Sequence, residues 1–227
     1  LVGVVGSDFR QKDREILENA HLDTKGIETV EGETFRWVGC YEGSMAQAIT
    51  HETHLNVFEH FEPKVPEHGR NPTVTFCANL HPAIQLSVLD QSKPIRFSIL
   101  DSMNLWIDLN PDDVWNLITK VDIFMLNDEE AMQLTNENDL EKVIKQFLHL
   151  GPKIVVIKMG GKGCLVAFEN RIHHVSIVPN TPVFDPTGAG DSFAGGLLGY
   201  MAQNGTSDPL MAAAYGCLLY TSDAADE

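Results

Sequence analysis

The stretch VFDPTGAGDSFAGG, Val183 to Gly196, reads as a tight turn that runs into a helix. Pro186, Gly188 and Gly190 punctuate the turn, and the Ala, Leu and Met content of Ser192 to Gln203 suits a helix. The amides of Gly188, Ala189, Gly190 and Asp191 can there point together into open space, because glycine permits close backbone approach and the first helical N–H groups lack an internal partner. With the helix dipole behind them, they suit a phosphate or negative charge that develops during a reaction. Asp191 is the odd residue, since a carboxylate beside an anion site repels a phosphate unless it has other work. It can accept a proton from a hydroxyl attacking a phosphoryl group, or it can cap the helix, and the two tasks are compatible.

Upstream, apolar β-rich runs alternate with helical ones. After the strand Leu1 to Val5, Ser7 can cap a helix reaching Ala20 with Ile16 and Leu17 facing inward. Val74 to Ala78, Ile95 to Asp101, Asp122 to Leu126 and Ile154 to Lys158 read as buried strands, with helices at Ala83 to Gln91, Asp112 to Thr119, Glu129 to Leu134 and Leu140 to Leu150. The alternation predicts an α/β fold, a mostly parallel sheet with helices on both faces. The segment Ile27 to His54 breaks the rhythm. Thr34 to Glu42 alternates as a half-exposed strand, with Phe35, Trp37 and Tyr41 on one side, and Met45 to Thr53 can pair with it as a hairpin, either a lid or an inert cover for a sheet edge.

In open α/β sheets ligands bind outside the carboxyl ends of the strands. Polar residues collect there: Asn79 and His81, Asp101 and Asn104, Asn127 and Glu130, Lys158 and Gly160, and then Asp191. Asn127 and Glu130 sit three apart where a strand turns into a helix. An amide oxygen and a carboxylate there suit a hydrated magnesium ion, or an Asn cap with an acidic first turn. The run VVIKMGGKGC, residues 155–164, is not a Walker P-loop, since GKG lacks the spacing and the Ser or Thr after Lys. Gly160, Gly161 and Gly163 would let backbone lie against a ligand, or simply make a hairpin turn.

These motifs together resemble the ribokinase, or phosphofructokinase-B, family of carbohydrate kinases. DPTGAGDSFAGGLLGYMA, residues 185–202, resembles its C-terminal signature, LNDEEA contains its NxxE motif, and VGSDF at Val5 to Phe9 is similar to its early Gly-x-Asp segment. LDSMNLWI resembles the Asp-x-Asn segment with one extra residue. The resemblance implies a ribokinase-like, three-layer α/β/α fold, with residues 1–26 and 55–220 as the core and 27–54 as a small β lid that can mediate homodimers. It implies Asp191 as catalytic base and the turn Thr187 to Gly190, with Ala189, as the anion hole. It implies Mg2+ and phosphate at Asn127 and Glu130, held through water, and ATP flanked by Lys158, Gly160, Gly163 and Thr187. Asn104, Asp101 and Asn79 fall to the acceptor. Asp185 and Thr187 fall beside a monovalent cation, K+, that some members use. Family members also carry a sugar-binding aspartate and a Gly-Gly pair upstream of the residue matching Leu1, and complete the adenine pocket downstream of Tyr220. With LVGVV opening in mid-fold and periodicity stopping after Tyr220, the chain is expected to be a piece cut at both ends, with 221–227 a tail foreign to the fold.

The remaining composition narrows the function. In 227 residues, a formal charge of -16 with no basic cluster disfavours nucleic acid. Cys40, Cys77, Cys164 and Cys217 have no CxxC spacing and read as buried thiols of a cytoplasmic protein, and no run is long and apolar enough to span a membrane. HETH at His51 to His54 is not HExxH, which argues against zinc, and adjacent His173 and His174 face opposite sides of a strand. The expected activity is ATP-dependent phosphotransfer to a hydroxyl, a primary one, of a sugar or nucleoside. The alternative is a non-catalytic sugar- or nucleotide-sensing protein, whose mark would be loss of the base, the turn glycines or the NxxE pair, and all are intact. A dehydrogenase would need a GxGxxG turn after a strand, which is lacking.

Overall fold

The computed structural model describes residues 1–41, 48–178, 186–206 and 208–223. The chain divides into two units, Leu1–Pro72 with Leu86–Lys93, and Thr73–Gln85 with Pro94–Glu227.

The second unit holds the sheet. Runs such as Ile123 to Leu126 and Ile154 to Ile157 offer no polar side chain to water, so they are stable only when covered on both faces. They lie in a six-stranded sheet of order β10-β9-β8-β7-β6-β5. Its parallel strands are β5 (Val74–Cys77), β6 (Phe97–Asp101), β7 (Ile123–Asn127) and β8 (Ile154–Lys158), and β9 (Cys164–Phe168) and β10 (Arg171–Val175) close it as an antiparallel meander.

Strand alternation sorts the core into two layers. Phe97 and Ile99, Ile123 and Met125, and Ile154 and Val156 pack with Phe193, Leu197 and Met201 of α7 (Ala189–Asn204) and with Ala212, Ala213 and Cys217 of α8 (Pro209–Asp223). On the opposite face Phe124 meets Phe147 of α6 (Leu140–Leu150) edge-on, centroids 5.0 Å apart, and Phe147 meets Trp115 of α4 (Pro111–Ile118) at 5.8 Å. The three-layer α/β/α expectation holds. The helices α2 (Pro82–Gln91), α3 (Asn104–Leu109) and α5 (Asp128–Thr135) occupy strand connections.

In the first unit β1 (Val2–Gly6) pairs in parallel with β2 (Gly26–Val30), joined by α1 (Gln11–Asn19). Asp8, after β1, accepts from the amide and hydroxyl of Thr34 at 2.7 and 2.6 Å, and these bonds hold its carboxyl below the usual range. A separate antiparallel hairpin joins β3 (Arg36–Tyr41) to β4 (Ala48–His54), as the alternating pattern predicted.

Several local expectations are corrected. Helix α1 begins at Gln11 after an extended Arg10, and Ser7 donates its hydroxyl to the Gly32 carbonyl instead of capping. Ile16 is exposed and α1 buries no residue, because its apolar residues are too few to form an inward stripe. Strand β6 starts at Phe97, leaving Ile95 exposed. Helix α7 starts three residues earlier than the Ser192 expected, since Gly188 supplies the left-handed turn, φ 76°, that ends the loop. The short helix α3 went unpredicted.

Candidate active site

The period of two that buries Phe97, Ile99, Ile123, Met125, Ile154 and Val156 under α7 also decides what ends these strands. Asp101, Asn127 and Lys158 are their last residues and fall on that same face. Three polar groups are therefore delivered to the carboxyl edge of the sheet, beneath the N-terminus of α7.

Lys158 and Asp101 form an ion pair, Nζ to Oδ2 3.1 Å and to Oδ1 3.2 Å, with side chains 14% and 7% exposed. They stand two strands apart. Asp101 is level with Met125 of β7, which is level with Val156 of β8, so the Lys158 and Asp101 side chains reach toward each other across the roughly 10 Å that holds β7. Burial pushes the Asp101 carboxyl up and the Lys158 ammonium pulls against it. Burial alone would lower Lys158, but Asp101, then Glu130, outweigh it and hold the ammonium above the usual lysine range, a firm cation. The Asp191 carboxylate is close enough to bear on both.

Asn127 caps α5. Its side-chain oxygen accepts from the Glu130 amide at 2.7 Å, and a Glu130 carboxylate oxygen accepts from the Asn127 amide at 2.8 Å, a closed capping box. Glu130 is buried; burial raises its carboxyl to about 7 against the pull of Lys158. Among the described residues the Asn104 side chain bonds locally, its oxygen accepting from the Leu105 amide at 3.0 Å. As hard oxygen donors with lone pairs left beyond their capping bonds, Asn127 and Glu130 fit a hydrated magnesium ion carried by phosphates. Among the described residues no cluster of three acidic, His or Cys side chains offers direct coordination.

At α7 no side chain among the described residues caps the first turn. The N-cap, Gly188, has no side chain to give. The Ala189 amide donates to the Pro186 carbonyl at 3.1 Å and is used up, and Ser192 donates to Gly188 at 2.8 Å. Among the described residues the amides of Gly188, Gly190 and Asp191 meet no acceptor. Asp191 is exposed in the first turn, and Gly190 faces Lys158, whose Nζ lies 3.6 Å from where a Cβ would stand. Thr187 is exposed beside them. Asp185 lies outside the described residues.

Gly160 and Gly163 bound the 3-10 turn Gly160–Lys162 of the β8–β9 hairpin, closed by Met159 donating to Gly163 at 2.8 Å. Asn79, after β5, is drawn to α3: it accepts from the Trp106 indole at 3.0 Å, donates to the Met103 sulfur at 2.9 Å, and Trp106 stacks edge-on with His81. The sequence reading missed two residues. One is Trp106. The other is buried Gln85, whose amide donates to the Ala78 and Asp101 carbonyls at 2.7 and 2.9 Å and so binds the ends of β5 and β6 together. A groove of about 550 Å³ between α6 and β10, lined by Lys145, His149 and Asn170 among others, stands at the amino end of β8 and away from these groups.

The same architecture recurs in solved structures. A nucleoside kinase of Methanocaldococcus jannaschii, an archaeal member of the ribokinase family, superposes with a TM-score of 0.81 at 17% identity, over 100% of this chain and 74% of that one. A fructokinase of Vibrio cholerae O395, bound to fructose, ADP and calcium, gives 0.78 at 20% identity, over 99% and 80%. The fold is therefore ribokinase-like. In sequence, the cytidine kinase of Thermococcus kodakarensis is 28% identical over 213 residues, 87% of this chain and 72% of that protein. A model of the pfkB family of carbohydrate kinases matches residues 1–217, and the chain belongs to that family.

Proposed function

We propose that the protein transfers the γ-phosphoryl group of ATP to a hydroxyl, a primary one, of a sugar or nucleoside. One observation carries this: an exposed carboxylate, Asp191, shares the first turn of α7 with amides that have no acceptor among the described residues, next to the Lys158 cation. The amides of Gly188, Gly190 and Asp191 would hold the phosphoryl oxygens, and Asp191 would take the proton of the attacking hydroxyl. Because such transition states are loose, positioning and charge contribute more than the base. Lys158, oriented by Asp101, would face the phosphates, with Gly160, Gly163 and Thr187 on the nucleotide side. Asn79 and Asn104 would meet the acceptor. Asn127 and Glu130 would hold magnesium through water, where it offsets charge on the β and γ phosphates. We assign 27–54 to a lid, and the exposed Phe35, Trp37 and Ile49 support its use as a contact with a second copy. Four cysteines with no CxxC spacing support a reducing, cytoplasmic setting, and among the described residues no helix is long and apolar enough to cross a membrane.

An ADP-release screen against sugars and nucleosides tests the proposal. Turnover with at least one acceptor, abolished by chelating divalent metal, is expected. Nucleotide binding by calorimetry without ADP release across the panel would instead favour the sensing alternative.

A further inference from the structure

The HETH segment, idle as a zinc motif, acquires a role from the shape of its hairpin. Val38 is level with Glu52 but Gly39 is level with Thr50, so β4 carries one extra residue, His51, at a β-bulge. The bulge moves Cys40 from opposite Thr50 to opposite Ile49, and His51, two residues on, comes round to its side: Nε2 stands 3.2 Å from Cys40 Sγ. The bulge is pinned from the other strand. The Trp37 indole lies across Gly39, where any Cβ would strike the ring, and donates to the Thr50 hydroxyl at 3.0 Å. Glu52 is occupied by His54 at 3.1 Å, which leaves the His51 ring facing the thiol.

The other cysteines contrast with this one. Cys77 is buried, and burial pushes its thiol up to about 12. Cys164 and Cys217 are buried against each other, sulfurs 3.9 Å apart. Cys40 alone among the four combines partial exposure with a histidine nitrogen in reach. We propose that Cys40 and His51 form a thiol-modification site that takes low-molecular-weight disulfides by thiol–disulfide exchange. His51 Nε2 receives the Cys40 proton. The thiolate sulfur bonds to one sulfur of R–S–S–R, that S–S bond breaks, and the leaving R–S⁻ takes the proton away as R–SH. Cys40 is oxidised to a mixed disulfide and half of the reagent is reduced, with no other oxidant needed.

The site is tested on the whole folded chain with 5,5′-dithiobis(2-nitrobenzoic acid) under pseudo-first-order conditions near pH 7. One thiol per chain should react in a fast phase that Cys40→Ser removes. His51→Asn should slow that phase about tenfold, through loss of the neighbouring nitrogen that takes the thiol proton, with far-UV circular dichroism and thermal midpoint unchanged. His54→Asn should leave it unaltered. Incubation with glutathione disulfide should give one mixed disulfide, mapped by peptide mass to Cys40. A fast phase that survives Cys40→Ser, an unchanged rate in His51→Asn, equal slowing by His54→Asn, or a native rate no faster than that of the unfolded chain would each overturn the proposal. None of these outcomes depends on the kinase reading.

Discussion

Among the helix N-termini at the carboxyl edge of the sheet, those of α5 and α7 are finished in opposite ways. At α5 the chain seals itself: Asn127 and Glu130 exchange hydrogen bonds with each other's amides, and the carboxylate is buried. At α7 a glycine stands at the cap, no side chain closes the turn, and three amides have no acceptor among the described residues. A sealed end stabilises the fold and an open one is available to a ligand. Both carry acidic first turns, so charge near the helix start does not by itself separate them.

The largest effect should come from the open end. Asp191→Asn is expected to keep nucleotide affinity, read by calorimetry, while ADP release with a working acceptor falls by about a hundredfold to ten-thousandfold. A drop of only a few fold would remove Asp191 as the base and with it the functional meaning of the open terminus.

Between the two ends lies the Lys158–Asp101 pair, both members largely buried. Lys158→Met should lower unfolding free energy in urea by about 3 kcal/mol, because it strands a buried carboxylate, and adding Asp101→Asn should restore most of that loss. Simple additivity of the two substitutions would mean that the pair is not coupled as the geometry implies.

The sealed end supplies the pH test. Glu130, raised to about 7 from an ordinary 4.5, binds its proton more tightly in the folded chain. Its penalty is absent below about pH 4.5, grows as pH rises, and is complete above about 7, amounting to at most about 3 kcal/mol. Glu130→Gln keeps the capping geometry and cannot ionise. In magnesium-free buffer the stability of this variant relative to the parent should therefore grow between pH 5 and pH 8; a constant gap would contradict the burial of Glu130. The smallest effect is the cap: Asn127→Ala should cost about 1 kcal/mol by urea titration.

Much of this was open to sequence reading. The strands declared themselves by apolar runs, the hairpin by its alternation, and Asp191 by the turn before it. What escaped was set by distance along the chain. Asp101 reads as an acceptor contact and Lys158 as a nucleotide contact until the sheet order puts β7 between them and lets one side chain reach the other. Asn127 and Glu130 left both magnesium and a cap open, and the bonds formed are those of a cap, with lone pairs to spare for water. Ile16 looked inward because a helical pattern names a face without naming what covers it.

The sequence by itself determined most of the elements, α3 excepted, and the parity of the buried strands, because hydrophobic period and turn chemistry act over a few neighbouring residues. Only the tertiary structure decided which charges meet, that the Ala189 amide is spent while its neighbours are not, and that a one-residue bulge turns His51 toward Cys40. Those outcomes depend on register and strand order, which sum over contacts far apart in the chain and leave no local mark.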